Sequence, residues 1–127
     1  MSGETNAGPE GPAVLLVEDD PLLRLFEAEL LEEAGFTVVE AVSADEALAV
    51  LQARNDVRVV WTDIEMPGTL NGLDLADLVH ARYPGLGVLI TSGRTFPSPE
   101  VLPPGVIFLS KPYRTNEVLA EVGRLAA

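Results

Sequence analysis

The sequence contains no cysteine, and this absence excludes disulfide bonds, thiolate zinc sites and catalysis by a thiol. The N-terminus has neither the basic start nor the apolar stretch of a secretory signal. No apolar run is longer than a few residues, whereas a membrane-spanning helix needs about 20. We therefore expect a cytoplasmic protein without a membrane-spanning segment.

Basic residues are scarce as well. The chain has 8 basic and 20 acidic residues, which gives a net charge of −12. Proteins that bind nucleic acids use basic patches to neutralise phosphates, and this chain would repel them. Anionic membranes are disfavoured for the same reason. We expect neither nucleic acid nor a membrane as a partner.

The composition is otherwise that of a single folded domain. The chain has 127 residues, and 47% of them are hydrophobic, which is enough for a sizeable core. The first twelve residues are rich in glycine, proline and polar side chains. We predict a flexible N-terminal tail over residues 1–12 and one domain over residues 13–127.

Short apolar runs alternate with helical patterns along this domain. Residues 13–17 (AVLLV) are typical of a buried strand, and Asp20 followed by Pro21 indicates the start of a helix that ends at Gly35. Further strands are predicted over 36–41, 57–62, 86–91 and 106–109. Further helices are predicted from the capping box at Ser43 through Ala53, over 73–82, and from about Thr115 to the end. This alternation favours a parallel sheet covered on both faces.

The connection between the fourth and fifth strands breaks the pattern. Residues 94–104 (RTFPSPEVLPP) include four prolines. Proline inside a helix costs about 3 kcal/mol, because it removes a hydrogen bond and clashes with the preceding turn. We expect a loop with at most a short turn instead of a full fourth helix.

Polar side chains follow the predicted strands where they end. They are Glu18, Asp19 and Asp20, then Asp63, Ser92, Ser110 and Lys111. The carboxyl ends of parallel strands share one edge of the sheet, so these groups should converge there. Clustered carboxylates repel one another unless a divalent cation such as Mg²⁺ neutralises them, and a lysine opposite can bind a phosphate oxygen. The set suits phosphoryl transfer, with a carboxylate as covalent acceptor.

Four segments carry a resemblance to a known family. VEDDP (17–21), TDIEMPG (62–68), TSG (91–93) and SKPY (110–113) resemble the receiver domains of two-component response regulators, in order and approximate spacing. The resemblance implies a flavodoxin-like, doubly wound, five-stranded parallel sheet of strand order 2-1-3-4-5, here with the fourth helix short or absent. Single-domain receivers of bacterial signalling are similar in these features.

The resemblance also implies roles for individual residues. Asp63 corresponds to the phosphoryl acceptor. Glu18 and Asp19 correspond to the acidic pair, with Asp19 as a direct Mg²⁺ ligand beside Asp63 and the backbone carbonyl of Glu65.

Three further roles come from the resemblance. Ser92 corresponds to the hydroxyl that turns onto the phosphoryl group, Lys111 to the lysine that pairs with it, and Phe108 to the aromatic switch residue. The Lys111–Pro112 bond is cis in the family. Phe108 lacks the phenol that many relatives carry.

Three other groups of residues have expected roles. We interpret Trp61 as a packing residue, because it shares the strand parity of Asp63. The acidic run Glu27, Glu29, Glu32 and Glu33 is interpreted as a solvated helix face. We also hypothesise an ion pair between Glu65 and Arg94 across the mouth of the site, which would slow hydrolysis of the phosphoaspartate.

A receiver of this kind would take its phosphoryl group from a histidine kinase or a phosphotransfer protein. It would not be a turnover enzyme, although it catalyses its own phosphorylation and dephosphorylation. Because the chain stops after the last helix, we expect output through a protein contact or as a phosphate shuttle or sink in a phosphorelay. Alternatives are a phosphatase with an aspartate nucleophile, a receiver that never takes phosphate, and a flavin carrier.

Overall fold

The computed structural model describes residues 12–127, and the expected tail lies outside the described residues except for Pro12. One five-stranded parallel sheet has the order β2-β1-β3-β4-β5, which confirms the predicted fold class. The strands are β1 (Ala13–Val17), β2 (Thr37–Ala41), β3 (Val57–Asp63), β4 (Gly87–Ser92) and β5 (Val106–Ser110). The α-helices within residues 12–127 are α1 (Pro21–Glu33), α2 (Ala44–Ala53), α3 (Gly72–Arg82) and α4 (Thr115–Ala126).

The helix ends follow local sequence signals. The Asp20 side chain accepts hydrogen bonds from the backbone N–H groups of Leu22 and Leu23, and so caps α1 as predicted. Gly35 follows this helix with φ +99°, a left-handed conformation that glycine adopts without steric cost. Ser43 caps α2 through the backbone N–H of Glu46.

The connection between β4 and β5 contains one short 3-10 turn, Pro99–Val101. Its proline content explains why no longer helix forms over residues 93–105. Strands β3 and β4 each run one residue further than predicted. Asp63 and Ser92 are therefore the last residues of their strands, where the sheet hydrogen bonds still hold the backbone.

Two apolar layers cover the sheet, because successive strand side chains point to opposite faces. Leu15 and Ile90 pack against α2 and α3 on one face. Leu16 and Trp61 pack against α1 and α4 on the other, and this burial of Trp61 agrees with its expected packing role. No helix within residues 12–127 is both long and apolar enough to cross a membrane.

Candidate functional site

The predicted site residues meet at the carboxyl edge of the sheet. Glu18 directly follows β1, Asp63 ends β3, Ser92 ends β4, and Lys111 directly follows β5. Because β1, β3, β4 and β5 are adjacent and parallel, their ends lie side by side. The fold thus brings together residues that are up to 93 positions apart in sequence.

Asp63 and Lys111 form the central ion pair. Lys111 Nζ donates a hydrogen bond to Asp63 Oδ2 over 2.6 Å. The other carboxylate oxygen of Asp63, Oδ1, is buried and accepts no hydrogen bond from residues 12–127. Burial raises the pKa of Asp63, and the Lys111 ammonium opposes this rise. Burial also acts to lower the pKa of Lys111, but the Asp63 carboxylate outweighs it and raises that pKa.

The acidic pair after β1 has one buried and one exposed member. Glu18 is only 4% exposed, and its Oε2 accepts the backbone N–H of Asp20 over 3.1 Å. Burial raises the pKa of Glu18, and the negative charge of Asp63 adds to the rise. Asp19 is exposed. Arg24 Nη1 donates to the carbonyl of Glu18 over 2.9 Å, which fixes this turn of the chain.

Ser92 is fully buried and hydrogen-bonded to Glu65. Its Oγ lies 2.7 Å from Glu65 Oε2 and 3.0 Å from Oε1, so the hydroxyl donates to the carboxylate. The same oxygen accepts the backbone N–H groups of Arg94 (3.2 Å) and Thr95 (2.9 Å). Burial acts to raise the pKa of Glu65, but hydrogen bonds from Ser92 and Thr95 outweigh it and lower that pKa.

The hypothesised ion pair between Glu65 and Arg94 is wrong for this structure. Among residues 12–127 no salt bridge joins them, because the Glu65 carboxylate turns inward to the Ser92 hydroxyl. Thr91, the neighbouring hydroxyl, lies on the opposite face of β4 from Ser92 and accepts a hydrogen bond from Trp61 Nε1 over 3.3 Å. The Thr91 hydroxyl is thus engaged by Trp61, and the role of Ser92 as the hydroxyl that turns onto the phosphoryl group stays a prediction.

Gly72 fixes the backbone at Asp63, a role that sequence reasoning missed. Its N–H donates to the carbonyl of Ile64 over 2.9 Å. A Cβ atom at this position would overlap the carbonyl oxygen of Asp63 and lie 2.8 Å from its carbonyl carbon. Only glycine permits α3 to approach β3 so closely. The sequence predicts that this helix begins at residue 73, whereas it begins at Gly72 and Asn71 caps it.

Phe108, the expected aromatic switch residue, is half-buried in β5. The ring of Phe96, from the β4–β5 connection, stands edge-on to it with centroids 6.1 Å apart. Phe96 itself is largely exposed. Phe108 is thus covered on one side by a residue of the proline-rich connection.

Glu27 corrects the interpretation of the acidic run. Glu29, Glu32 and Glu33 are exposed as expected, but Glu27 is only 1% exposed. Tyr113 Oη donates a hydrogen bond to Glu27 Oε2 over 2.8 Å. Burial raises the pKa of Glu27 to about 7, although the hydrogen bond opposes the rise. Its partner lies 86 residues away, so local charge pattern gave no sign of it.

The donor set at the site suits Mg²⁺. Within residues 12–127 no three Asp, Glu, His or Cys side chains are grouped to hold a metal ion. Mg²⁺, however, usually keeps several waters and needs only one or two carboxylates. Asp63 Oδ1 is a buried oxygen that has no hydrogen-bond partner in the described part of the chain. The Glu65 carboxylate accepts the Ser92 hydroxyl, and the backbone carbonyl of Glu65 is the ligand that the family resemblance implies.

Comparison with known proteins defines the family. The model of the response regulator receiver domain matches residues 14–123, and the chain belongs to this family. Response regulator protein FleR of Pseudomonas aeruginosa is 38% identical over 116 residues, which are 89% of this chain and 24% of FleR. C4-dicarboxylate transport transcriptional regulatory protein DctD of Rhizobium meliloti is 43% identical over 82 residues, 65% of this chain and 17% of DctD.

A solved structure agrees with the family. The crystal structure of a response regulator receiver protein from Sinorhizobium medicae is similar with a TM-score of 0.85 and 25% identity, over 92% of this chain and 95% of that chain. The chain spans about a quarter or less of the length of FleR and DctD. It is thus a receiver domain of two-component signal transduction, a family of phosphoryl acceptors that in general bind Mg²⁺ and interact with histidine kinases and phosphotransfer proteins.

Proposed function

We propose that Asp63 accepts a phosphoryl group from a histidine kinase or phosphotransfer protein in a Mg²⁺-dependent reaction. The observation that carries this proposal is the geometry of one carboxylate. Its Oδ2 is held by Lys111 at 2.6 Å, and its Oδ1 is buried without a hydrogen-bond partner in the described chain. A carboxylate held in this way is positioned to attack and has a cation beside it.

The transfer follows from these groups. An Asp63 oxygen attacks the phosphorus of a phosphohistidine in line; a P–O bond forms, the P–N bond breaks, and the imidazole leaves with the electron pair. Lys111 Nζ then stabilises a phosphoryl oxygen as a point charge. Asp19, Asp63 and the Glu65 carbonyl would hold Mg²⁺, with the Glu18 carboxylate beside them. The ion would neutralise charge on the phosphoryl oxygens.

Signalling requires an exchange of hydrogen bonds at Ser92. Its hydroxyl donates to Glu65 in this structure, so it must leave that carboxylate before it donates to a phosphoryl oxygen. The exchange releases Glu65 and alters residues 94–95, whose N–H groups bind the same hydroxyl. Phe96, in the same connection, contacts the ring of Phe108 in β5. Phosphorylation thus biases a two-state equilibrium of this surface.

An apolar surface beside the site suits the phosphodonor. Leu22, Leu25 and Phe26 of α1 are exposed, and Phe26 borders an open groove of about 450 Å³ that Lys111 also lines. A protein that presents a phosphohistidine to Asp63 would cover this groove, since Lys111 binds Asp63 directly. The apolar side chains offer the area that such a contact needs.

We place the receiver over residues 13–127 in a cytoplasmic protein. It has the proline-rich connection between β4 and β5 where a typical receiver has its fourth helix. Its output is a protein contact, or it is a shuttle or sink in a phosphorelay. It is not a turnover enzyme, because the phosphoryl group stays on its own side chain until hydrolysis or transfer.

Intact mass after incubation with acetyl phosphate, with and without Mg²⁺, tests the proposal. We expect one added phosphoryl group on the wild-type chain with Mg²⁺ and none on Asp63→Ala. Lys111→Ala should react about 100-fold more slowly, because it loses the cation that faces the developing charge. Asp77→Ala, which removes an exposed carboxylate from α3, is the matched control and should react normally. A phosphoryl adduct on Asp63→Ala, or none on the wild type with a competent kinase, would refute the proposal.

A further inference from the structure

Glu27 is a buried carboxylate that phosphoryl transfer does not use. It lies in the middle of α1, among the largest fully buried side chains. Burying a carboxylate costs several kcal/mol unless hydrogen bonds compensate, whereas a leucine there would simply pack. Its hydrogen bond is to Tyr113 Oη, at 2.8 Å. A costly group with one directed partner indicates a role beyond filling space.

Tyr113 connects this carboxylate to the site. It stands two residues after Lys111, and Pro112 between them has a fixed φ angle, which limits the freedom of the turn. The Tyr113 ring also packs edge-on against Trp61, with centroids 5.9 Å apart, two residues before Asp63 in β3. The turn that carries Lys111 is therefore held from α1 by a hydrogen bond and from β3 by an aromatic contact.

Glu27 also lies within electrostatic reach of the site. The charges of Glu18, Lys111 and Asp63 all act on its pKa. Conversely, the negative charge of Glu27 contributes to the raised pKa of Lys111. The pair is thus a neighbour of the reacting groups in space, although neither Glu27 nor Tyr113 touches Asp63 through a hydrogen bond.

We propose that the hydrogen bond between Glu27 and Tyr113 is a positioning contact, which holds the turn after β5 so that Lys111 Nζ faces Asp63. Helix α1 then helps to set the rate of phosphoryl transfer. Misplacement of a reacting group by about 1 Å can cost about 100-fold in rate, so a modest loosening of this turn has a measurable effect. The consequence for the rate rests on the proposed function, whereas the position of Lys111 does not.

A double-mutant cycle separates positioning from a merely structural role. Glu27→Leu/Tyr113→Phe removes the hydrogen bond and retains apolar packing. We expect its initial rate of phosphorylation by acetyl phosphate to fall about 10-fold or more when Lys111 is present, whereas the same two substitutions should cause no further loss in a Lys111→Ala background. Equal losses with and without Lys111 would overturn the proposal. If this variant fails to fold, Tyr113→Phe alone replaces it in the cycle.

Two single substitutions bracket the effect. Glu27→Gln keeps an acceptor for the Tyr113 hydroxyl and should retain most of the wild-type rate. Glu29→Gln removes one charge from the exposed face of the same helix and should leave the rate unchanged. A rate for Glu27→Gln as low as that of Glu27→Leu/Tyr113→Phe would contradict a role for the hydrogen bond.

A second readout needs no phosphorylation. Lys111 is the only lysine in the chain, so ¹³C-lysine labelling gives a single Cε resonance. In Glu27→Leu/Tyr113→Phe at constant pH, without Mg²⁺ or phosphodonor, this resonance should move towards its position in Asp63→Ala, where Lys111 has lost its partner. An unchanged resonance would refute positioning. A shifted resonance in a chain whose wild type takes no phosphoryl group would refute the proposed function alone.

Discussion

The connections that follow the two central site residues are built in opposite ways. After Asp63, Ile64 is buried, its N–H donates to the carbonyl of Thr91, and its own carbonyl accepts the N–H of Gly72. After Ser92, residues 93–96 are exposed, and backbone N–H groups there bind the Ser92 hydroxyl. One connection is fixed by backbone contacts and the other by a side chain.

In the proposed mechanism, this difference separates the residue that accepts the phosphoryl group from the segment that changes in response. Backbone hydrogen bonds and close packing cannot change partners without local unfolding, so Asp63 keeps its position whether or not it is phosphorylated. A hydroxyl can rotate and donate to whichever acceptor is stronger. A phosphoryl group on Asp63 can therefore take the Ser92 hydrogen bond from Glu65, and the exposed connection can follow at low cost.

Gly72→Ala should disrupt the fixed connection after Asp63 and give the largest loss of stability. The added Cβ meets backbone atoms of Asp63 and Ile64, which cannot move aside as a flexible side chain would. We expect a loss of about 3 kcal/mol in the free energy of unfolding, measured by urea denaturation.

Gly123→Ala in α4 is the matched control, because a Cβ there meets no atom within 4 Å. It should be neutral or stabilising by up to about 1 kcal/mol. Similar losses for both variants would contradict the close packing at Asp63.

Glu27→Gln should change how the free energy of unfolding depends on pH, and so tests the packing of the buried part of the structure beside Asp63. The pKa of Glu27 is about 7 in the folded chain against 4.5 when unfolded, so the folded chain binds the extra proton between these values. The stability of the wild type therefore falls as pH rises from about 4.5 to 7, by up to roughly 3 kcal/mol from this group. Glutamine cannot titrate, so the variant should gain stability over the wild type as pH rises from 5 to 8.

Urea denaturation at pH 5 and pH 8 measures this gain. The relevant quantity is the difference between variant and wild type, because Glu18 and Asp63 also have raised pKa values and add their own slopes. Glu29→Gln, on the exposed face of α1, should show no such difference. A parallel pH dependence for wild type and Glu27→Gln would mean that Glu27 does not titrate in this range.

The part of the site around Asp63 was easier to predict from sequence than the connection after Ser92. Apolar runs and cap residues predicted β1 and α1. The position of polar groups directly after the strands predicted that Lys111 and Asp63 lie close together, and the structure has them in contact. These signals are local, and the rule that parallel strands share a carboxyl edge converts them into proximity. Gly72 was missed because its requirement comes from the packing of α3 on β3, not from its own neighbours.

Two contacts between side chains distant in sequence, Glu27 with Tyr113 and Glu65 with Ser92, were not predicted. Glu27 shares the charge pattern of Glu29, and only its helical position and a tyrosine from the other end of the chain make it a buried group. The choice of Glu65 between Ser92 and Arg94 likewise depends on rotamers at the mouth of the site. Sequence spacing led to the hypothesis that Glu65 pairs with Arg94, and it gave no sign that the Ser92 hydroxyl would be the partner.

Glu65→Ala probes the contact that joins the two connections, and its expected effect is the smallest. It removes the acceptor of the Ser92 hydroxyl but keeps the backbone carbonyl of residue 65. A net hydrogen bond contributes about 0.5–1.5 kcal/mol. The affinity for beryllofluoride with Mg²⁺, a phosphoryl analogue, should therefore rise about 2- to 10-fold, because the analogue no longer competes for Ser92. Fluorescence of Trp61, the single tryptophan, follows the titration.

In a Ser92→Ala background the same substitution should give no gain, since no hydroxyl remains to be released. An affinity that falls in Glu65→Ala, or a gain that persists without Ser92, would show that the Glu65 carboxylate acts on the phosphoryl group by another route than holding this hydroxyl.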